Sequence, residues 1–276
     1  MKRQLLRNDH KPKNIVQSIE RASALLDLLG QAPQGLNLGI LSEMSGLNKG
    51  TVHRILSTLT YLGYVRQIPA NKNYALGFKL AELGNLLLSQ LDLRNTARQH
   101  IIDLAEEVQE TVHLVIRDND EALYIDKVDL FPKEAGLQMV SRLGSRTSLH
   151  SCAVGKVILS GMSEKEIQTT MDLDDLERKT EYTITKASDL MRHLKTVRNK
   201  GYAIDNEENE MGIRCVAAPV FDSGGGIVAA ISMSGPAARI GLKQIKSKFN
   251  RKVRDAALEI SRNLGYAGNG TIRIAE

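Results

Sequence analysis

Leu41-Ser-Glu-Met-Ser-Gly-Leu-Asn-Lys-Gly-Thr-Val-His-Arg-Ile-Leu-Ser-Thr-Leu-Thr-Tyr-Leu-Gly-Tyr-Val65 reads as two short helices joined by a tight turn. In the second helix Val52, Ile55, Leu56, Leu59 and Leu62 recur at i, i+3, i+4 and i+7, the spacing of one buried stripe. Lys49, Thr51, His53, Arg54, Ser57 and Thr58 fall off that stripe, and their side chains hydrogen-bond to phosphates and base edges. Gly46 suits the turn, because glycine reaches positive φ without a Cβ clash. Asn48 is a good N-cap for the second helix. A helix of this build can lie in the major groove of B-DNA, with Lys49 on a phosphate and Thr51, His53 and Arg54 near base edges.

The neighbouring sequence extends this motif. A preceding helix places Ile15, Ile19, Ala22, Leu26 and Leu29 inward and ends near Pro33 and Gly35. Tyr64–Ile68 and Tyr74–Leu76 flank the turn-forming run 69–73 and predict a β-hairpin. Three helices and a hairpin make a winged helix-turn-helix over residues 14–76, with Arg66, Lys72 and Tyr74 on or near the wing. Residues 1–76 hold ten Lys/Arg against four Asp/Glu, a balance of +6, while the rest holds twenty-seven against twenty-eight. All of the excess positive charge lies where a polyanion would bind.

Residues 1–13 are polar and basic and read as a disordered arm. Residues 77–93 form a connector helix whose line Leu80, Leu83, Leu87 and Leu91 has few charges beside it. A second copy of the chain is the economical cover for such a line. Residues 94–268 read as an α+β domain, followed by a tail at 269–276. A helix over 94–109 leads into strands Thr111–Ile116 and Glu121–Val128 around Asp118-Asn-Asp120. Leu137–Ser141 is a further strand, and helices follow at Ser151–Ser160, Ser163–Met171 and Lys186–Lys200. Cys215–Phe221 and Ile227–Ser234 form a hairpin around Asp222–Gly226. A C-terminal helix turns Ile245, Phe249, Val253, Ile260 and Leu264 inward.

A chain of 276 residues suits two domains. No apolar run approaches the roughly 18 residues a membrane span needs. The basic N-terminus lacks the apolar region of a secretory signal. The two cysteines, Cys152 and Cys215, are too few for a disulfide framework, and a reduced cytoplasmic protein is the simplest fit. With no tryptophan and few aromatics, a base-stacking platform for single-stranded nucleic acid is disfavoured.

With these pieces placed, the chain resembles the isocitrate-lyase-regulator (IclR) family of bacterial transcription factors from about Asn14 to Tyr266. The resemblance rests on Leu47-Asn-Lys-Gly-Thr-Val-His-Arg54, Leu62-Gly-Tyr-Val65, Ser141-Arg-Leu-Gly-Ser-Arg-Thr-Ser-Leu-His-Ser-Cys-Ala-Val-Gly-Lys156, Gly201-Tyr-Ala-Ile-Asp-Asn-Glu-Glu-Asn-Glu210 and Gly212-Ile-Arg-Cys-Val-Ala-Ala-Pro-Val-Phe-Asp222. Within the family, the run from Ile204 to Asp222 is most similar to the KdgR-like branch, which senses sugar acids such as 2-keto-3-deoxygluconate. Ser148 departs from the proline that relatives often carry before the Leu-His pair. The resemblance implies a GAF-like effector domain with an antiparallel sheet and a small carboxylate or sugar-acid effector. It also implies a homodimer, or a dimer of dimers, on palindromic operator DNA. By position the effector contacts fall on Met139, Ala153, Val154, Asp205, Ile213, Cys215, Ser232 and Ser234, with Ala153 and Val154 acting through backbone N–H groups.

The residues themselves are compatible with this. Ser151 can cap a helix starting at Cys152, and a helix N-terminus offers unpaired N–H donors to an anion. Ser232 and Ser234 alternate on one face of an apolar strand, where neighbouring backbone or a ligand must satisfy them. Asp205 ends a short apolar strand and could accept from a ligand hydroxyl or be an ordinary turn aspartate. The rival class is an enzyme or metal site built on Cys152, Cys215, His113 and His150. Neither a Cys-x-x-Cys nor a His pair at i, i+4 is present, and isolated cysteines on apolar elements are usually core residues. No nucleotide-binding glycine motif occurs. The expectation is a regulator without enzymatic activity, cofactor or metal, most simply the repressor of a catabolic operon. An activator, or a metal-containing sensor or enzyme domain fused to the helix-turn-helix, is the alternative.

Overall fold

The computed structural model describes residues 14–90, 92–130 and 141–273, and the chain divides into two compact units, one ending at Gln90 and the other starting at Leu91. In the first unit, α1 (Gln17–Gly30), α2 (Leu38–Ser45) and α3 (Lys49–Tyr61) pack around Leu25, Leu29, Leu41, Val52, Leu56, Leu59 and Val65. Asn37 and Asn48 cap α2 and α3, accepting from the backbone N–H groups of Ile40 and Thr51 at 3.0 and 2.8 Å. Gly46 ends α2 at φ 68°, the left-handed conformation the turn requires. The wing is β1 (Val65–Gln67) paired antiparallel with β2 (Tyr74–Leu76), and Leu36 bridges to Tyr74. Helix α4 (Phe78–Ser89) follows and buries none of its residues within this unit.

Two stripes differ from expectation. Ile15 and Ile19 are exposed, and α1 instead turns Leu25 and Leu29 inward, because its first turn projects beyond the three-helix core. Leu62 is exposed too, since α3 ends at Tyr61 and the chain turns away into the wing. Tyr74 packs against the core rather than presenting itself on the wing.

The second unit is a six-stranded antiparallel sheet, in the order β5-β4-β3-β8-β7-β6, with helices on both faces. Its elements are α5 (Asp92–Val108), β3 (Thr111–Asp118), β4 (Glu121–Val128), β5 (Arg146–Ser148), α6 (Ala153–Ser160), α7 (Glu164–Thr170), α8 (Ala187–Lys200), β6 (Ala203–Asn206), β7 (Ile213–Phe221) and β8 (Ile227–Pro236). The short α9 (Leu242–Gln244) runs through a π-turn at Ile245–Phe249 into α10 (Asn250–Asn263). Asn119 at φ 59° closes the two-residue β3–β4 hairpin.

Alternation along the strands sorts the core into two layers. Val112, Leu114, Val216, Ala218, Val220, Ile231 and Met233 face α5 and α10. Val115, Ala122, Cys215, Ala217 and Ala230 face α6 and α8. Ile272, in the segment read as a tail, is buried in this second layer. The strand expected at Leu137–Ser141 lies almost wholly outside the described residues, as do Met139, Leu91 and the basic arm.

Candidate functional site

On α3 the stripe and the polar face separate cleanly. Val52, Leu56 and Leu59 are buried, while Lys49, His53, Arg54, Ser57 and Thr58 are exposed and Thr51 is half-buried. Thr58 Oγ1 donates to the carbonyl of Arg54 at 3.0 Å, so its hydroxyl hydrogen is already used locally. On the wing, Arg66 and Lys72 are exposed. The Arg66 guanidinium lies 5.9 Å from the centre of the Phe78 ring. Lys72 holds the turn at φ 58° and donates its backbone N–H to Ile68. The expected DNA-contacting residues therefore share an exposed helix face and the adjacent hairpin of one unit.

The second unit gathers the other set. Register places Asp205 beside Cys215 and Cys215 beside Ser234, one row across β6, β7 and β8. The adjoining row runs Ala217, Ser232, His113 across β7, β8 and β3. Neighbouring strands stand about 4.8 Å apart and paired residues share a face, so these side chains form one patch. Ile213 is buried at the start of β7, two residues before Cys215 and on the same side.

Helix α6 stands over this face, all eight of its residues buried. Its N-cap is Cys152, not Ser151: Cys152 Sγ accepts from Gly155 N–H at 3.4 Å. Ser151 instead donates to Asn209 Oδ1 at 2.9 Å, tying the loop before α6 to the loop after β6. The N–H groups of Ala153 and Val154 have no acceptor among the described residues. An anion placed there would meet two free donors and the positive end of the helix dipole.

Three buried side chains on the sheet face matter electrostatically. Asp205 accepts from the N–H groups of Glu208 at 2.7 Å and Asn209 at 3.3 Å, both on Oδ1. Its Oδ2 has no partner among the described residues. Burial raises the Asp205 carboxyl to about 7, with Lys156 pulling it down and Glu208 pushing it up. Ser234 Oγ lies 3.5 Å from His113 Nδ1, whose Nε2 is 2.9 Å from Ser141 Oγ. The Ser232 hydroxyl, 3 % exposed, has no partner among the described residues, so neighbouring backbone does not satisfy it.

Burial pushes the Cys152 thiol up to about 12 and the Cys215 thiol well above its ordinary value, so neither is a ready thiolate. Among the described residues no group of three or more His, Cys, Asp or Glu is placed to hold a metal.

Sequence reasoning missed two features. Lys156, fully buried, donates to both oxygens of Glu208 at 2.6 and 2.7 Å and to the Ile204 carbonyl at 2.7 Å. It locks α6 to β6 behind Asp205, and its one sequence signal is a lysine inside an otherwise apolar helix. Tyr124 on β4 reaches the same face, edge-on to His113 with ring centres 5.1 Å apart. Only the strand pairing reveals it.

Known proteins share this architecture. Residues 85–262 match the family described as bacterial transcriptional regulator IclR C-terminal, and residues 18–69 match the IclR helix-turn-helix domain. The regulator XynR of Escherichia coli strain K12 is 36% identical over 252 residues, spanning 91% of this chain and 98% of that protein. The regulator KdgR of the same organism is 36% identical over 256 residues, spanning 93% and 95%. The crystal structure of Thermotoga maritima IclR superposes with a TM-score of 0.75 at 36% identity, covering 91% of this chain and 99% of that one. The chain belongs to the IclR family: it is a helix-turn-helix transcriptional regulator of the bacterial type, with an α/β C-terminal domain on an antiparallel sheet. No described helix is long and apolar enough to cross a membrane.

Proposed function

We propose that the chain represses a catabolic operon and is released from, or fixed on, its operator by a small carboxylate or sugar acid held in the second unit. The observation that carries this reading is the polar patch of Asp205, Cys215, Ser232 and Ser234 beneath the free N–H groups of Ala153 and Val154. A buried hydroxyl and two backbone donors without partners are costly unless something fills the site. Ile213 supplies an apolar wall and Cys215 a neutral contact. Met139 is assigned to the same site by sequence alone. In the first unit, Thr51, His53 and Arg54 read base edges, while Lys49, Thr58, Arg66 and Lys72 take phosphates.

The DNA domain is assigned to residues 14–76 and the connector to 77–93. Leu83 and Leu87 on α4 are 39% and 61% exposed, which suits a homodimer through this helix, with a dimer of dimers as its extension. Two half-sites of a palindromic operator match that symmetry. Leu83→Glu with Leu87→Glu is expected to give monomers with little operator affinity, checked by light scattering. A ligand shifts DNA binding only through its different affinity for two arrangements of the protein.

The decisive experiment measures binding to the DNA flanking the chain's own gene, with and without a panel of keto and sugar acids. An acid that changes operator affinity without being consumed supports the reading. Turnover of the acid, or indifference to Ser232→Ala combined with Asp205→Asn, removes it.

A further inference from the structure

The unpartnered groups around the site are unequal in number and come from different elements. Four are donors: the N–H groups of Ala153 and Val154 on α6, the Ser232 hydroxyl on β8 and the Tyr124 hydroxyl on β4. One, Asp205 Oδ2 on β6, accepts when ionised. Tyr124 is the least expected of them. Its backbone is pinned, accepting from Gly144 N–H at 2.8 Å and donating to the Ser145 carbonyl at 3.1 Å. Its ring is fixed edge-on to His113 at an interplanar angle of 73°. Its hydroxyl end lies among Cys152, Cys215, Asp205 and Glu210. Burial, and then those four groups, hold the phenol well above its ordinary value, so it is a neutral O–H donor at every physiological pH. Among the described residues nothing accepts from it.

The His113 ring sits between this phenol and Ser234, whose Oγ is 3.5 Å from His113 Nδ1. A carboxylate seated at the N-terminus of α6 and on Ser232 is therefore met by the phenol from beyond the imidazole. The geometry points to Tyr124 as a specificity-determining residue of this site. It donates to a second oxygen on the ligand's carbon chain, and the ligand class is hydroxy- and oxo-carboxylates in preference to plain aliphatic acids. This inference rests on the carboxylate site proposed above. Tyr124 supplies the donor, Asp205 accepts from a ligand hydroxyl, and His113 positions the ring. A ligand without that second oxygen leaves a buried phenol unsatisfied, and binding sites built on hydrogen bonds discriminate strongly against analogues lacking the group.

The test is calorimetry on the full chain with glycerate, lactate, pyruvate and gluconate against propionate, using the unsubstituted protein, Tyr124→Phe and Ser232→Ala. The expected result is that the unsubstituted protein prefers at least one oxygenated acid to propionate by about tenfold or more. Tyr124→Phe erases that preference, leaving propionate affinity and the ligand-free melting temperature unchanged. Ser232→Ala weakens all acids together. A Tyr124→Phe protein that keeps the preference, while Ser232→Ala loses affinity, overturns the role of Tyr124 and leaves the site standing. Equal weakening toward every acid with a lowered melting temperature makes Tyr124 structural and also overturns it. Binding of no acid in the panel, or binding indifferent to Ser232→Ala, overturns the carboxylate site and this inference with it.

Discussion

Helices α3 and α6 are put to opposite uses. Of the thirteen residues of α3 only three are buried, and what it offers a partner is its exposed side chains. All eight residues of α6 are buried, and what it offers is the bare backbone of its first turn. On α3 the scaffold and the reading face are different residues, so either can change without the other. On α6 they are the same residues, and there any change in bulk moves the site.

A glycine in each helix tests this contrast most severely. A Cβ on Gly155 would lie 2.2 Å from the Leu149 carbonyl oxygen and 2.5 Å from Leu149 Cα. Only backbone movement relieves such a contact, so Gly155→Ala is expected to destabilise the second unit by more than about 3 kcal/mol and to displace the N-terminus of α6. On α3, a Cβ on Gly50 would sit 3.5 Å from Asn48 Oδ1, an ordinary contact. Gly50→Ala should be neutral or stabilising by roughly 0.5–1 kcal/mol through helix propensity. Chemical denaturation of both variants checks the pair, and a Gly155→Ala protein as stable as its parent would end the claim that α6 has no slack.

The next effect comes from the face beneath α6. Asp205 is raised from 3.8 to about 7, so between those values the folded chain binds more protons than the unfolded one. Its contribution is therefore fully present below about pH 4 and is lost as pH rises through about 7. The whole displacement corresponds to about 4 kcal/mol. Asp205→Asn recovers about half of it, because the amide must itself be buried. The variant should be more stable than its parent by about 2 kcal/mol at pH 8, and the gain should vanish near pH 4. Thermal melts across pH read this directly, and a gain that does not depend on pH contradicts it.

The sequence made α3 legible and left α6 half-read, for one physical reason. Function on α3 resides in side chains that a periodicity separates by face, so Lys49, His53 and Arg54 could be placed without knowing what the helix packs on. Asn119 and the Asp222–Gly226 turn fixed two hairpins in the same local way. The patch of Asp205, Cys215 and Ser234 depends on β8 lying between β3 and β7, a pairing across more than a hundred residues of chain that no local pattern encodes. Ser232 and Ser234 were visible as an anomaly, polar residues in an apolar strand, whereas Tyr124 looked like an ordinary strand residue. Lys156 and Glu208 could be joined only by the fold. The N-cap moved from Ser151 to Cys152 because Asn209, distant in sequence, takes the Ser151 hydroxyl.

Arg54 carries the next prediction. Its guanidinium is exposed on the polar face of α3, where a bidentate contact to a guanine edge is within its repertoire. Arg54→Ala should cost about 1–3 kcal/mol of specific operator binding and relax discrimination at one base position, leaving folding untouched. Competition against operator variants checks this. Unchanged specific affinity would move base reading off α3 and make its exposed face no different in kind from any solvated helix surface.

The smallest effect belongs to Lys49, the first residue of α3 and fully outside the core. Asn48 caps the helix through its side chain, so Lys49 has no capping task, and a phosphate is the partner its flexible ammonium suits. Replacing it with alanine removes one counterion-releasing contact. Affinity should fall alike for operator and unrelated DNA, and the slope of log affinity against log salt should flatten by about one unit. A titration over a range of salt concentrations separates this from Arg54→Ala, which acts on sequence preference. If Lys49→Ala instead changes the preferred sequence and keeps the salt slope, Lys49 reads a base, and α3 approaches the groove one turn earlier than its exposed face suggests.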